Sequence, residues 1–517
     1  MAAAGTATVA GTRTSAGADE NVDGGGPIDV LSEDIHAEDA AYTGPGDYVG
    51  PALESSFPFT HAALHWKASG EPVGAALRTS EDGEAWGAWQ PLAVEAGPDD
   101  TPTGKTFTTL ASAPRHRFVQ YRLQPGPGIT VTAVAVTVMN SVDGPASPSV
   151  AGAMAEPDRG NIPVTYTRED WGADEARRFD ANGGERWPRA FVPHQKLVVH
   201  HTETRNTYSE EGAAADVRAI YAYHATTLGW GDIGYNALVD RFGNIYEGRY
   251  GREDGGTREV LSQGARAGHA LRHNYGTCGI AVLGTHSRPD ELDREGVDVP
   301  EGAYAGLVEL LAFEAGRNGI DPEGAGDYAL FEWRSDPLVE NGWNRGLENI
   351  CGHRDCQDRV CPGGRLYDLL PALRRDVAER LTPAGPDVAL ESYPDEDLHD
   401  VSEFEGFSAT YAWNGDGTES GYEYALEAWR QTKPGQDDIV YLDGFTSDHR
   451  LAWSSTTSTS VSFQDFESGH YTFHVRALDG NGTSGTAARR TFLLLTSDEG
   501  TNNITVPGIA RDGDESP

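Results

Sequence analysis

The sequence predicts a central α/β domain, a mixed sheet flanked by helices, set between two β-sandwich domains. Three observations predict it. In the middle of the chain, strand-like apolar runs alternate with stretches whose apolar residues recur at helical spacing. On both sides, short alternating runs are punctuated by Gly, Pro, Asp and Asn, the pattern of sandwiches. Finally, all four cysteines, Cys278, Cys351, Cys356 and Cys361, fall in the central part. That clustering suits a metal site better than a disulfide scaffold spread along the chain.

Taken in order, residues 1–50 are rich in Gly, Ala and acids and poor in large apolar side chains, and they read as a disordered leader. Residues 51–142 hold runs such as Ala75-Ala76-Leu77-Arg78-Thr79 and Phe118-Val119-Gln120-Tyr121-Arg122-Leu123, separated by turns such as Glu81-Asp82-Gly83. They read as the first sandwich, and 143–160, with Pro145, Pro148 and Pro157, as a linker. In the central domain, 161–385, Lys196 to Val199 and Ile280 to Leu283 are buried strands. Gly234 to Asp240 and Ile245 to Glu247 flank an Arg241-Phe242-Gly243-Asn244 turn. Val217, Ile220, Tyr221 and His224 stripe one helix; Tyr304, Leu307 and Leu311 stripe a second; Leu366, Leu369, Leu370, Leu373 and Val377 stripe the last. Residues 386–497, with alternating Tyr471, Phe473, Val475 and Ala477, read as a fibronectin- or immunoglobulin-like sandwich, and 498–517 as a disordered tail.

Asp and Glu total 80 against 40 Lys and Arg, a formal net charge of −40. A surface of that sign repels nucleic acid and anionic membranes, whose phosphates need clustered cations. It suits a protein adapted to high salt, where carboxylates hold water and ions screen their repulsion. No apolar run is long enough to span a bilayer. The first residues lack the charged and apolar parts of a signal peptide but resemble the small-residue end of one, so a secreted location is expected with the export signal incomplete or upstream.

Two segments carry chemistry. Val198-Val199-His200-His201-Thr202 delivers histidine at a strand end. Cys351-Gly352-His353-Arg354-Asp355-Cys356 runs on to Cys361-Pro362-Gly363. Catalytic zinc takes three nitrogen or sulfur ligands and leaves a fourth position open, and two histidines with one cysteine meet that need. Spacing alone leaves a second reading open, surface histidines and a core thiol.

Further segments extend the pattern: Arg168-Glu169-Asp170-Trp171-Gly172-Ala173, Gly229-Trp230-Gly231-Asp232-Ile233-Gly234-Tyr235-Asn236, Gly243-Asn244-Ile245-Tyr246-Glu247-Gly248-Arg249 and Gly279-Ile280-Ala281-Val282-Leu283-Gly284. In this order, over under half of the chain, they resemble the peptidoglycan-recognition and type 2 N-acetylmuramoyl-L-alanine amidase family. The resemblance implies Zn2+ held by His200, His353 and Cys361, with Tyr235 polarising the attacked carbonyl. It implies cleavage of peptidoglycan between the muramic acid lactyl group and L-alanine. Family members that only bind peptidoglycan commonly lack the cysteine ligand, so Cys361 favours an enzyme over the alternative, a non-catalytic receptor or adhesin. Arg359 stands where the family usually has Lys or Thr; it keeps a cation for oxyanion stabilisation, with a longer, planar fork.

Asn236, Arg249 and His269 are candidate substrate contacts, His269 being equally readable as part of a surface loop. His201 is expected behind the ligands and His224 in the core. Trp66, Trp86 and Trp89 fit either a sugar-stacking platform or a core. Cys351 and Cys356 could bridge to each other or to Cys278, or stay free. No glutamate stands out by motif as general base, which leaves the proton carrier open between Tyr235, water and an unidentified acid.

Overall fold

The computed structural model describes residues 29–495 apart from short intervening stretches, the longest being 145–155. Most of the expected leader, most of the linker and the tail therefore lie outside the described residues.

The central sheet has five strands in the order Ile245–Glu247, Ala237–Val239, Thr277–Val282, Lys196–His201, Ile350–Gly352. The first pair is antiparallel and the others parallel, so the sheet is mixed. Its strands alternate between two apolar layers, as a period of two demands. Leu197, Val199, Ile280 and Val282 face helices Glu301–Asn318 and Leu370–Arg380, through Leu307, Leu311, Leu370, Leu373 and Val377. Leu238, Ala281 and Leu283 face helix Glu210–Ala222, through Ala213, Val217 and Ile220. Ser209 caps that helix by accepting from the Gly212 amide, with Glu210 and Glu211 at its positive end. Lys196, the first residue of its strand, buries its ammonium on the Leu347 and Gly326 carbonyls and Asn349 Oδ1. These groups belong to or flank an Ala325–Glu332/Val339–Glu348 hairpin that the sequence pattern did not suggest.

The N-terminal strands depart from the expected sandwich in two ways. All nine join one hydrogen-bonded sheet. The long strand Leu53–Ala68 shifts register against Ala111–Pro125 between Glu54 and Phe59 and again before His61, which lets the strands bend and carry the ladder round a corner. In addition, Leu31–His36 is a strand paired with Thr130–Asn140, although it falls in the stretch read as leader. Its alternation is short, with only Ile35 fully buried, and acidic partners hid it.

This sheet docks on the helix Glu210–Ala222. Val30, Ala63, Leu110 and Met139 share one core with Trp171, Ala213, Val217 and Tyr221. Buried polar contacts accompany it: His61 to Asp216 at 3.2 Å, and the Arg218 guanidinium to the Ser141 carbonyl. At the C-terminal end, a three-stranded and a six-stranded sheet enclose Tyr411, Trp413, Leu426, Tyr471 and Phe473. Among the described residues no helix is long and apolar enough to cross a membrane.

Candidate metal centre

Strand register builds the site. Leu197 and Val199 pair with Ile350 and Gly352, so the next residues, His200 and His353, leave the carboxyl ends of neighbouring parallel strands side by side. Their ring centroids are 4.5 Å apart. Cys361 returns to them from the following loop, its Sγ 3.6 Å from His200 Nδ1. One ligand atom from each of the three lies within 4.8 Å of the others. Tetrahedral zinc with two nitrogens and a sulfur holds its ligand atoms about 3.5 Å apart, so this donor set fits zinc.

Hydrogen bonds decide which nitrogens face inward. His200 Nε2 meets His269 Nδ1 at 2.9 Å, and His269 Nε2 meets Thr277 Oγ1 at 3.3 Å. His353 Nε2 meets Gln357 Oε1 at 2.9 Å. Each of these two histidines would thus offer Nδ1 to a metal, with the tautomers following from the network. Burial, with the other histidines adding to it, holds His200 far below its ordinary pKa; burial brings His353 to about 4. Both rings are therefore neutral, as ligands must be. Burial raises the Cys361 thiol, while the His201 amide donates to its sulfur at 3.4 Å and favours the thiolate.

Tyr235 stands beside His200, ring centroids 5.5 Å apart. Burial pushes its phenol well above the ordinary value, so it keeps its proton and can donate it in a hydrogen bond. Arg359 is exposed on the ligand loop, close enough to depress His353 electrostatically. His201 lies behind the ligands, accepting from the His286 amide and bonding Glu203 at 3.2 Å. His224 packs on Trp230 and accepts from the Gly234 amide, a core histidine.

The three candidate substrate contacts are engaged elsewhere. Asn236 is buried, its amide nitrogen donating to the Ala265 carbonyl and its oxygen accepting from the Gly279 amide. Arg249 is buried over Trp187 and paired with Asp232 at 2.6 Å. His269 is buried against His200 and is not on an exposed loop. Each looked accessible because polar residues in loops usually are. A signal for His269 was present in Gly279, a glycine within a strand. A Cβ there would meet the His269 ring at 2.2 Å.

Other expectations divide. All four cysteines are free thiols, with Cys356 packed beside Cys351. Trp66 is fully buried. Trp86 and Trp89 are half-buried on the sheet surface under the Arg78 guanidinium, at 5.0 and 4.6 Å. Glu203, which sequence reasoning missed, links His201 to Thr109 of the N-terminal sheet.

Residues 190–364 match the family model described as N-acetylmuramoyl-L-alanine amidase. The centre of the chain is homologous to N-acetylmuramoyl-L-alanine amidase and to peptidoglycan-recognition proteins. The human N-acetylmuramoyl-L-alanine amidase is 29% identical over 212 residues, 40% of this chain and 28% of the relative. Peptidoglycan-recognition protein SC2 of Drosophila melanogaster is 33% identical over 90 residues, 17% of this chain and 42% of the relative. The chain thus spans less than half the length of these curated relatives. The solved structure of wild-type Drosophila PGRP-LB aligns with a TM-score of 0.28 and 22% identity, covering 40% of this chain and 92% of that one.

Proposed function

We propose that this chain is a zinc-dependent N-acetylmuramoyl-L-alanine amidase, exported from the cell and adapted to salt, that hydrolyses the amide between the lactyl group of muramic acid and L-alanine. The observation that carries the reading is the convergence of His200, His353 and Cys361, with the three ligand atoms within 4.8 Å. A chain that only bound peptidoglycan would not need the thiolate. Zinc, when bound, supplies Lewis acidity that activates water at neutral pH and polarises the amide carbonyl.

The chain's own groups complete the chemistry. His269 and Gln357 hold the two imidazoles with Nδ1 inward. Tyr235, kept protonated, donates to the carbonyl oxygen as negative charge develops there. Arg359 adds a cation at the mouth of the site. Each well-placed donor of this kind is worth about 3–4 kcal/mol in the transition state. The carboxylate excess, 80 against 40 cations, supports the salt-adapted part of the reading.

The test is release of new L-alanine amino termini from purified peptidoglycan by the parent chain and by Cys361→Ala, at low and high salt. Release by the parent alone, with glycan reducing ends unchanged, is expected. Binding without release under every condition overturns the amidase in favour of a receptor.

A further inference from the structure

The N-terminal sheet reaches the candidate metal centre. Its Val94–Thr108 bridge is locked by the Glu95 amide donating to the Phe107 carbonyl and the Thr109 amide donating to the Ala93 carbonyl, both at 2.8 Å. The central domain grips the same ladder at two points. Tyr223 donates to the Thr108 carbonyl, and Thr109 Oγ1 donates to Glu203 Oε2 at 3.3 Å. Glu203 in turn holds His201, whose amide donates to Cys361 Sγ.

Glu95 pairs with Phe107 on this ladder, and a period of two puts it on the same face as Thr109, the face that meets Glu203. Its charge acts on Tyr235, Cys361 and Tyr223, and it feels Glu203 and Arg359. Burial, and then the like charge of Glu203, push its pKa up to about 8, with Arg359 opposing. The carboxylate has no hydrogen-bond partner among the described residues, whereas Glu203 is committed to His201 and Thr109. Of the two carboxylates, Glu95 is the one without such a commitment among the described residues.

We propose that the amidase site is completed from outside the amidase domain: Glu95 of the N-terminal sheet is a catalytic residue, the proton carrier of the hydrolysis. The proposal rests on the amidase reading above. The oxygen of water bonds to the carbonyl carbon while one of its protons passes to the Glu95 carboxylate. The carbon–nitrogen bond then breaks, and that proton goes on to the departing amine nitrogen. The products are a carboxylic acid on the lactyl group and a free amino terminus. The sheet is then part of the catalytic unit, not a tethered accessory.

The test is Glu95→Gln in the full chain, an isosteric change, with Glu54→Gln on the exposed side of the same sheet as control. Amino-terminus release is followed from pH 5 to 10, beside zinc content, binding to insoluble peptidoglycan and thermal midpoint. Loss of a proton carrier costs roughly 100-fold or more in kcat. Glu95→Gln should show that loss and lose the acidic limb of the parent's profile. Zinc content, binding and midpoint should match the parent, and Glu95→Asp should recover part of the rate. A rate within threefold of the parent overturns the proposal, as does loss of zinc or peptidoglycan binding together with the rate, which would mark a structural role. An inactive parent removes the amidase reading and this one with it; an active parent with an unimpaired Glu95→Gln removes this one alone.

Discussion

His269 Nδ1 lies 2.9 Å from His200 Nε2, and this one bond turns the other nitrogen of His200 toward Cys361. On the zinc reading proposed above the pair is ligand and orienting partner, tied through Thr277 to the strand beneath. Removing such a partner typically weakens metal binding by about 10–100-fold. His269→Ala should lose zinc to a competing chelator at correspondingly lower chelator concentration while keeping the fold. An unchanged competition curve would show that the bond does not set the ligand.

Cys361→Ser and His353→Ala should each lower zinc content well below one ion per chain and abolish amino-terminus release. Metal analysis after gel filtration checks the first part. Full zinc retention in Cys361→Ser would remove the sulfur from the ligand set.

Asp232 joins two buried guanidinium groups, Arg168 at 2.9 Å and Arg249 at 2.6 Å, and all three are almost wholly excluded from solvent. Taking away the shared carboxylate leaves two cations without their anion. Breaking a buried pair costs about 3–5 kcal/mol. Asp232→Ala should shift the denaturant midpoint strongly downward; a change under about 1 kcal/mol would show that the network is dispensable.

Acid should destabilise the chain over a defined window. Burial lowers His224 to about 3, and His273 and His286 to about 4, from an ordinary value near 6.5. Between those values these rings bind more protons in the unfolded chain than in the folded one, so their contribution to stability rises with pH there and levels off above it. Through these rings the thermal midpoint of metal-free protein should fall from about pH 6.5 toward pH 4, while the raised Glu95 carboxyl acts in the opposite sense and makes it decline as pH rises toward 8. A midpoint constant from pH 7 to 4 would contradict the buried, neutral state of these rings.

Salt should act in the opposite sense to its effect on a typical surface ion pair. With 80 acidic against 40 basic side chains, screening of repulsion outweighs screening of attraction. The thermal midpoint and amidase rate should both rise with potassium chloride up to molar concentrations. A maximum at low salt would end the salt-adapted reading.

The convergence of His200, His353 and Cys361 was legible because the three sit at strand ends and in a tight loop, where local order determines position. His200 and His353 meet because Val199 pairs with Gly352, and an apolar run ending in histidine announces that geometry. The burial of Asn236, Arg249 and His269 was not legible, because sequence shows polarity but not whether a loop residue turns inward. Glu95 and Glu203 were invisible for another reason. Their meeting depends on one sheet docking against another domain, across about a hundred residues of chain, and no periodicity records that. The helix stripes were read correctly: Leu307, Leu311, Leu370, Leu373 and Val377 all enter one core.

The shared core of Val30, Ala63, Leu110 and Met139 with Trp171, Ala213, Val217 and Tyr221 bears on how such a protein can be rebuilt or evolve. A cassette cut at the edges of the amidase homology would carry a raw apolar wound along helix Glu210–Ala222, and it would clump before it could be assayed. Recombination that swaps the front of this protein must therefore supply a matching apolar face.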